Sequence, residues 1–300
     1  MKNIINLTKG FQPVHGNHIV DFELFTFNGG EPHVKLGHIF DEHDVVITSR
    51  VKSFNDIGNI AVVNDALQRK GGYEKKELVI PYFPGARQDR VANEGEALTV
   101  KVYADMINVM GFDKVTIFDP HSDVTPALLN NCNVVNNHAL VKQAIHKTRS
   151  GRCTIISPDA GANKKANSLL HNIFTYFTPN TNGTEDIVYC DKNRDIQTGE
   201  LSGFKVYSED LKGAACIIVD DICDGGGTFI GLAEELKAKN AGDLYLVVSH
   251  GIFSKGFVEL SQHFKAIYTT DSWCSNYAME IPEIERKSEK CTIINLNTIL

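Results

Sequence analysis

Short apolar runs alternate along this chain with longer segments in which apolar residues return every three or four positions. Runs at 45–48, 78–83 and 115–118 have strand length and β-branched content. Between them, 56–69 carries Ile57, Ile60, Ala61, Asn64 and Leu67 near helical spacing and stops at Gly71-Gly72. Residues 97–110 repeat the pattern with Leu98, Val102, Met106 and Met110, then stop at Gly111. The second half has the same grammar. Strands are expected at 153–157, 173–177, 215–219 and 244–249, and helices at 164–171 and 228–239. Residues 292–300 read as a strand followed by the start of a turn or helix. Such alternation predicts an α/β fold of mainly parallel sheets covered by helices. Two similar halves predict two α/β domains, residues 1–140 and 141–300. Residues 179–208 break the pattern: they are polar, rich in Asn, Thr, Asp and Gly, and are expected to form a long lid-like loop.

Composition narrows the class. Hydrophobic residues make up 42% of the 300, enough for a globular core, and a charged share of 22% argues against disorder. A net charge of -7 argues against a nucleic-acid binder, which would show a basic face. The longest apolar runs, 214–219 and 244–248, fall far short of the ~20 residues of a membrane helix. The N-terminal segment lacks the apolar stretch of a secretory signal. Seven cysteines without a C-x-x-C pair suit reduced thiols in a cytoplasmic protein, not a disulfide framework or zinc site.

The most informative chemistry lies at 217–228, Ile-Ile-Val-Asp-Asp-Ile-Cys-Asp-Gly-Gly-Gly-Thr. A buried-type strand reaches two carboxylates, and a glycine turn then opens a helix. Glycines let backbone N–H groups approach phosphate oxygens, and a helix N-terminus adds partial positive charge. Asp220 and Asp221 can accept hydrogen bonds from two vicinal ribose hydroxyls. Asp224, Gly225, Gly226, Gly227 and Thr228 are the candidate phosphate cradle. Three consecutive glycines cost chain entropy unless close backbone approach is needed. A Walker A loop is excluded, because no Gly-Lys-Ser/Thr follows.

Four other segments carry candidate chemistry, each with a plain structural alternative. Arg87, Gln88, Asp89 and Arg90 follow a strand, and two guanidinium forks there can clamp a polyphosphate. They also fit a solvated loop with an internal Arg–Asp pair. Asp119-Pro120-His121-Ser122-Asp123 follows the next strand and can hold Mg²⁺ or touch phosphate, or simply turn the chain. Asp159 in Ser157-Pro158-Asp159 is a candidate Mg²⁺ ligand or an ordinary Pro-Asp turn. Lys192 and Arg194, in the polar segment, can stabilise charge on a transferring phosphoryl group or merely solvate a loop.

The acid–glycine loop resembles the motif shared by phosphoribosyltransferases and phosphoribosyl pyrophosphate synthetases. With Ala86–Arg90, Asp119–His121, Ser157–Asp159, Lys192–Arg194, Ser249–Ser254 and Phe27–Glu31, the chain resembles the synthetase family over nearly its whole length. That resemblance implies two pseudo-symmetric phosphoribosyltransferase-like domains, an ATP side followed by a ribose 5-phosphate side, with the last residues packing back on the first. It implies transfer of diphosphate from ATP to ribose 5-phosphate with Mg²⁺, held by His121 and Asp159. Phe27, Glu31, Arg87, Gln88, Asp89, Arg90 and His121 would bind ATP; Lys192, Arg194 and His121 would be catalytic. It further implies a cytoplasmic homo-oligomer built from dimers, with adenine contacted across a subunit interface. Departures from the family pattern include Gly29, Gly225 in place of threonine, and Asp271. A phosphoribosyltransferase, or a non-catalytic regulatory homologue of the synthetase, is the alternative.

Overall fold

The computed structural model describes residues 2–16, 18–148, 153–173, 187–194, 201–275 and 290–300; side chains at 173, 193, 194, 201 and 202 are outside that description. The chain divides into two compact units, Met1–Asn136 with Asn295–Leu300, and Asn137–Ile294.

The first unit is built on six strands: β1 (Lys2–Asn6), β2 (His18–Ile19), β5 (Asp44–Thr48), β6 (Lys76–Val79), β7 (Lys114–Phe118) and β8 (Cys132–Val135). Their order is β2-β1-β5-β6-β7-β8, and every neighbouring pair is parallel. Helices α1 (Phe54–Lys70), α2 (Thr99–Asn108) and α3 (Val124–Leu128) connect them, and β3 (Phe22–Thr26) and β4 (Pro32–Leu36) form a separate antiparallel hairpin. Helix α1 starts where the Asp56 carboxylate accepts the Ser53 backbone N–H at 2.8 Å. It stops at Gly71, whose φ of 64° suits glycine and whose N–H reaches the Leu67 carbonyl. Ile57, Ile60, Asn64 and Leu67 lie on its buried face, as the sequence spacing required; Val63 joins them, and Ala61 is only half-buried. β6 is shorter than the apolar run 78–83, because Pro81 and Pro84 cannot donate to a ladder.

The second unit holds α4 (His138–Thr148), β9 (Cys153–Ser157), α5 (Asn163–Ile173), β10 (Ile187–Arg194), β11 (Leu201–Val206) and β12 (Ala215–Cys223). It continues with α6 (Gly227–Ala238), β13 (Leu244–Gly251), α7 (Val258–His263), β14 (Ala266–Thr270) and β15 (Cys291–Ile294). The sheet order is β11-β10-β9-β12-β13-β14-β15, parallel except for the β10–β11 pair. All eight residues of β13 are buried, as expected of a strand covered on both faces. Ile218, Leu232, Leu236, Leu246 and Phe264 sit in one core, and burying each such side chain is worth about 1.5–3 kcal/mol.

Two expectations are corrected. The polar segment 179–208 is not one long loop, since β10 and β11 form an antiparallel ladder through Lys192↔Phe204. Its polar composition hid the ladder, because one face of that edge pair is solvated. Ile173 ends α5 instead of starting a strand, and 174–177 lie outside the described residues. Among the described residues, no helix is long and apolar enough to cross a membrane.

Candidate active site

In the second unit the functional residues gather where β9, β10 and β12 end. β12 runs through both aspartates to Cys223, so Asp220 and Asp221 lie within the strand and not after it. Asp221 is 6% exposed, and the Lys165 ammonium stands 3.8 Å from its Oδ2. Asp220 accepts the Asp221 backbone N–H at 2.9 Å. Burial above all, then the neighbouring Asp221 and Asp159 carboxylates, hold the Asp220 carboxyl well above the usual carboxylate range. Asp159 caps the short helical turn Ala160–Ala162 by accepting the Ala162 N–H at 3.0 Å. Its other oxygen accepts from Lys192 Nζ at 2.5 Å. The ladder with β11 therefore places Lys192 on Asp159, while the Arg194 side chain lies outside the described residues.

After β12 the chain turns through Asp224, Gly225 and Gly226. Gly226 has φ 81°, and a Cβ there would stand 3.1 Å from Leu260, so this position needs glycine twice over. Gly226 is also the N-cap of α6 and offers no side-chain bond to the helix, leaving the first N–H groups without a side-chain cap. The turn is anchored from β13: Ile252 and Phe253 donate to the Cys223 carbonyl, and Ser254 Oγ donates to Asp224 Oδ1 at 2.6 Å. Cys223 is fully buried, and burial, with the charges of Asp220 and Asp224, pushes its thiol far up, so it is no nucleophile.

Behind the turn lies a buried polar cluster that only the family resemblance had touched. Ser272 Oγ and Thr270 Oγ1 both donate to the Ser249 carbonyl, at 3.1 and 2.6 Å. Ser272 Oγ therefore accepts from Nδ1–H of the buried His250, at 2.8 Å. Ile222 pairs with His250 in the ladder, so the cluster stiffens the strand next to the aspartates.

In the first unit, the loops after β6 and β7 leave the sheet side by side. Ile80 donates to the Thr116 carbonyl, and Phe118 donates to that of Pro81, each at 3.0 Å. Phe83 and Ala86 are buried, which pins the loop and leaves Arg87, Gln88 and Arg90 exposed and Asp89 half-buried. The turn closes where Gln88 N–H meets the Gly85 carbonyl at 2.8 Å. Asp119 takes φ 40°, uncommon for a residue with a side chain, and its N–H is held by the Val135 carbonyl. The exposed His121 follows two residues later. A residue that sequence reasoning missed, Arg50, stands just past β5 at the same sheet end, 8% exposed, its guanidinium 4.1 Å over the Phe11 ring.

Phe27 and Glu31 share the tip of the β3–β4 hairpin, where Phe27 N–H meets the Glu31 carbonyl at 2.9 Å. Phe27 is more than half exposed and packs edge-on against Phe25 with ring centroids 5.0 Å apart. The Glu31 carboxylate lies over Gly29, where a Cβ would come within 2.5 Å of Oε2.

A parallel sheet whose strand carries an acid pair into a left-handed glycine and an uncapped helix belongs to the phosphoribosyltransferase-like α/β class. A family model described as "Phosphoribosyl transferase domain" matches residues 131–265, and one described as "N-terminal domain of ribose phosphate pyrophosphokinase" matches residues 4–111. A ribose-phosphate pyrophosphokinase from Thermococcus kodakarensis is 30% identical over 244 residues, covering 81% of this chain and 82% of the relative. One from Caldanaerobacter subterraneus is 29% identical over 287 residues, covering 93% and 84%. The solved structure of phosphoribosylpyrophosphate synthetase from Mycobacterium smegmatis shares the fold, with a TM-score of 0.72 at 19% identity, over 99% of this chain and 97% of that one. The chain belongs to the ribose-phosphate pyrophosphokinase family.

Proposed function

We propose that this protein moves the terminal diphosphate of ATP onto the anomeric hydroxyl of ribose 5-phosphate, releasing AMP and forming phosphoribosyl pyrophosphate. The observation that carries the reading is the acid pair of β12 running into the Gly226 turn and the open N-terminus of α6. That feature alone suits a user of the product as well as its maker. Family membership and the paired strand ends bearing Arg87, Arg90 and His121 favour the maker.

Each residue has a role that its surroundings support. Asp220 and Asp221 accept from the ribose hydroxyls, and the backbone from Asp224 to Thr228 holds the 5-phosphate. Arg87 and Arg90, exposed on a pinned loop, hold the triphosphate, with Gln88, Asp89 and His121 beside them. Phe27 and Glu31 present a ring and an acceptor to adenine from the hairpin tip. Lys192, poised on Asp159, shifts to the transferring group as negative charge builds there, assisted by Arg194.

Among the described residues, no three His, Cys, Asp or Glu side chains form a metal-binding group. Magnesium needs none, because it takes one or two carboxylates together with substrate phosphate oxygens. Asp159, whose carboxylate already faces one cation in Lys192, fits that demand, with His121 the second candidate. Bound there, Mg²⁺ would neutralise charge on the ATP phosphates. The chain's own part in the chemistry is positioning and charge stabilisation without a covalent intermediate. An oligomer of dimers with the adenine contact shared between subunits, in the cytoplasm, completes the proposal.

The test is incubation of the pure protein with ATP, Mg²⁺ and ribose 5-phosphate. AMP and phosphoribosyl pyrophosphate are expected in equal amounts. ADP as the nucleotide product, or no turnover, would overturn the reading.

A further inference from the structure

A substrate phosphate brought to the α6 turn meets several carboxylates: Asp220 and Asp221 at the end of β12, Asp224 on the turn, and Asp159 near Asp220. Two of them have an ammonium group beside them, Lys165 at Asp221 and Lys192 at Asp159. A third lysine stands at the turn in a different state. The Cγ, Cδ and Cε methylenes of Lys255 lie 3.6, 3.4 and 3.5 Å from where a Cβ on Gly225 would be. The stem of Lys255 thus crosses the face of Gly225, and the ammonium is one bond beyond. Lys255 is exposed, and its ammonium makes no hydrogen bond or ion pair within the described residues.

The backbone fixes this placement. Ser254, the preceding residue, is tied to Asp224 twice, by its N–H on the carbonyl and its hydroxyl on the carboxylate. Phe253 adopts φ 48°, an unusual turn for a non-glycine residue, and its N–H sits on the Cys223 carbonyl. The segment from 252 to 255 therefore lies strapped along the outside of the glycine turn. Gly225, where the family pattern calls for threonine, contributes no side-chain donor and leaves the space that the lysine stem crosses.

We propose that Lys255 binds the 5-phosphate of the sugar phosphate, supplying from beside the turn the donor that position 225 lacks. The inference rests on reading the Asp224–Thr228 turn as the ribose 5-phosphate site. A cation at this point also offsets the carboxylates that the dianionic ligand must approach. Its role is selective: it touches the sugar phosphate and not ATP.

Lys255→Met keeps the apolar stem and removes the charge, separating phosphate binding from simple packing over the glycine. The expected result is a KM for ribose 5-phosphate raised on the order of tenfold, as losing one exposed charge-assisted hydrogen bond predicts. KM for ATP and kcat should stay at wild-type values, and Lys255→Arg should restore the affinity. An unchanged KM for ribose 5-phosphate in an active Lys255→Met enzyme overturns the inference alone. If the wild type forms no AMP, calorimetry with ribose 5-phosphate and with inorganic phosphate decides the matter. Weaker binding by Lys255→Met then upholds Lys255 while the reaction assignment fails. Equal binding by both proteins, or none by either, overturns it.

Discussion

Replacing Lys192 by alanine separates stability from catalysis, because the structure gives each a different size. The ammonium stands 2.5 Å from Asp159, with the two side chains 20% and 28% exposed. An exposed pair is worth about 0–1 kcal/mol, whereas breaking a fully buried one costs about 3–5 kcal/mol. This mostly buried pair should contribute about 1–2 kcal/mol, or roughly 2–8 °C in melting temperature for a chain of this size. The loss falls on a site already crowded with negative charge, since Asp159 and Asp221 raise the Asp220 carboxyl. Catalysis should lose more. A cation aimed at charge that develops only in the transition state is worth about 10²–10³ in kcat. Because Lys192 sits on β10 and not on the α6 turn, KM for ribose 5-phosphate should move little. Steady-state AMP formation at saturating ATP, read beside thermal unfolding of the same samples, tests both. An unchanged kcat would refute the role. A KM for ribose 5-phosphate that rises as much as kcat falls would mean ground-state binding instead.

Asp220→Asn should abolish ribose 5-phosphate turnover yet make the protein more stable, because desolvation and the neighbouring Asp221 and Asp159 carboxylates disfavour the charged carboxylate. The folded state holds the Asp220 proton to a higher pH than the unfolded chain does. Between the ordinary carboxylate range and that raised value, stability should therefore fall as pH rises, and the asparagine variant should flatten this slope in denaturation curves at stepped pH. Gly226→Ala combines φ 81° with a Cβ 3.1 Å from Leu260; about 1–3 kcal/mol of stability should go, with ribose 5-phosphate affinity, and unchanged calorimetric binding would count against the turn. Lys76 is buried, donates to Asn64 Oδ1 at 2.8 Å and the Met110 carbonyl at 2.6 Å, and has its pKa lowered by burial. Lys76→Met should cost about 1–3 kcal/mol in chemical denaturation by orphaning those acceptors, leaving kcat untouched.

Local pattern was enough for most of the framework. The apolar run of β12, the spacing of Ile57, Ile60 and Leu67 on α1, and the stops at Gly71 and Gly111 are written in neighbouring residues. The acid–glycine turn was legible for the same reason: Asp220 to Thr228 are contiguous, and their chemistry needs no distant partner to be recognised. The β10–β11 ladder was not, because its polar face has the composition of a loop and only cross-strand pairing reveals it. β1 and the β3–β4 hairpin escaped likewise, since short strands acquire their identity from the strands beside them. Sequence alone determined which residue types stand at the strand ends and which family they belong to. Only the tertiary structure decided that Lys192 rests on Asp159, that Lys165 faces Asp221, that His250 is locked by Ser272, and that Lys255 crosses Gly225. Each of those pairs joins residues far apart along the chain, and a contact made by folding the backbone back on itself leaves no mark in the local order of residues.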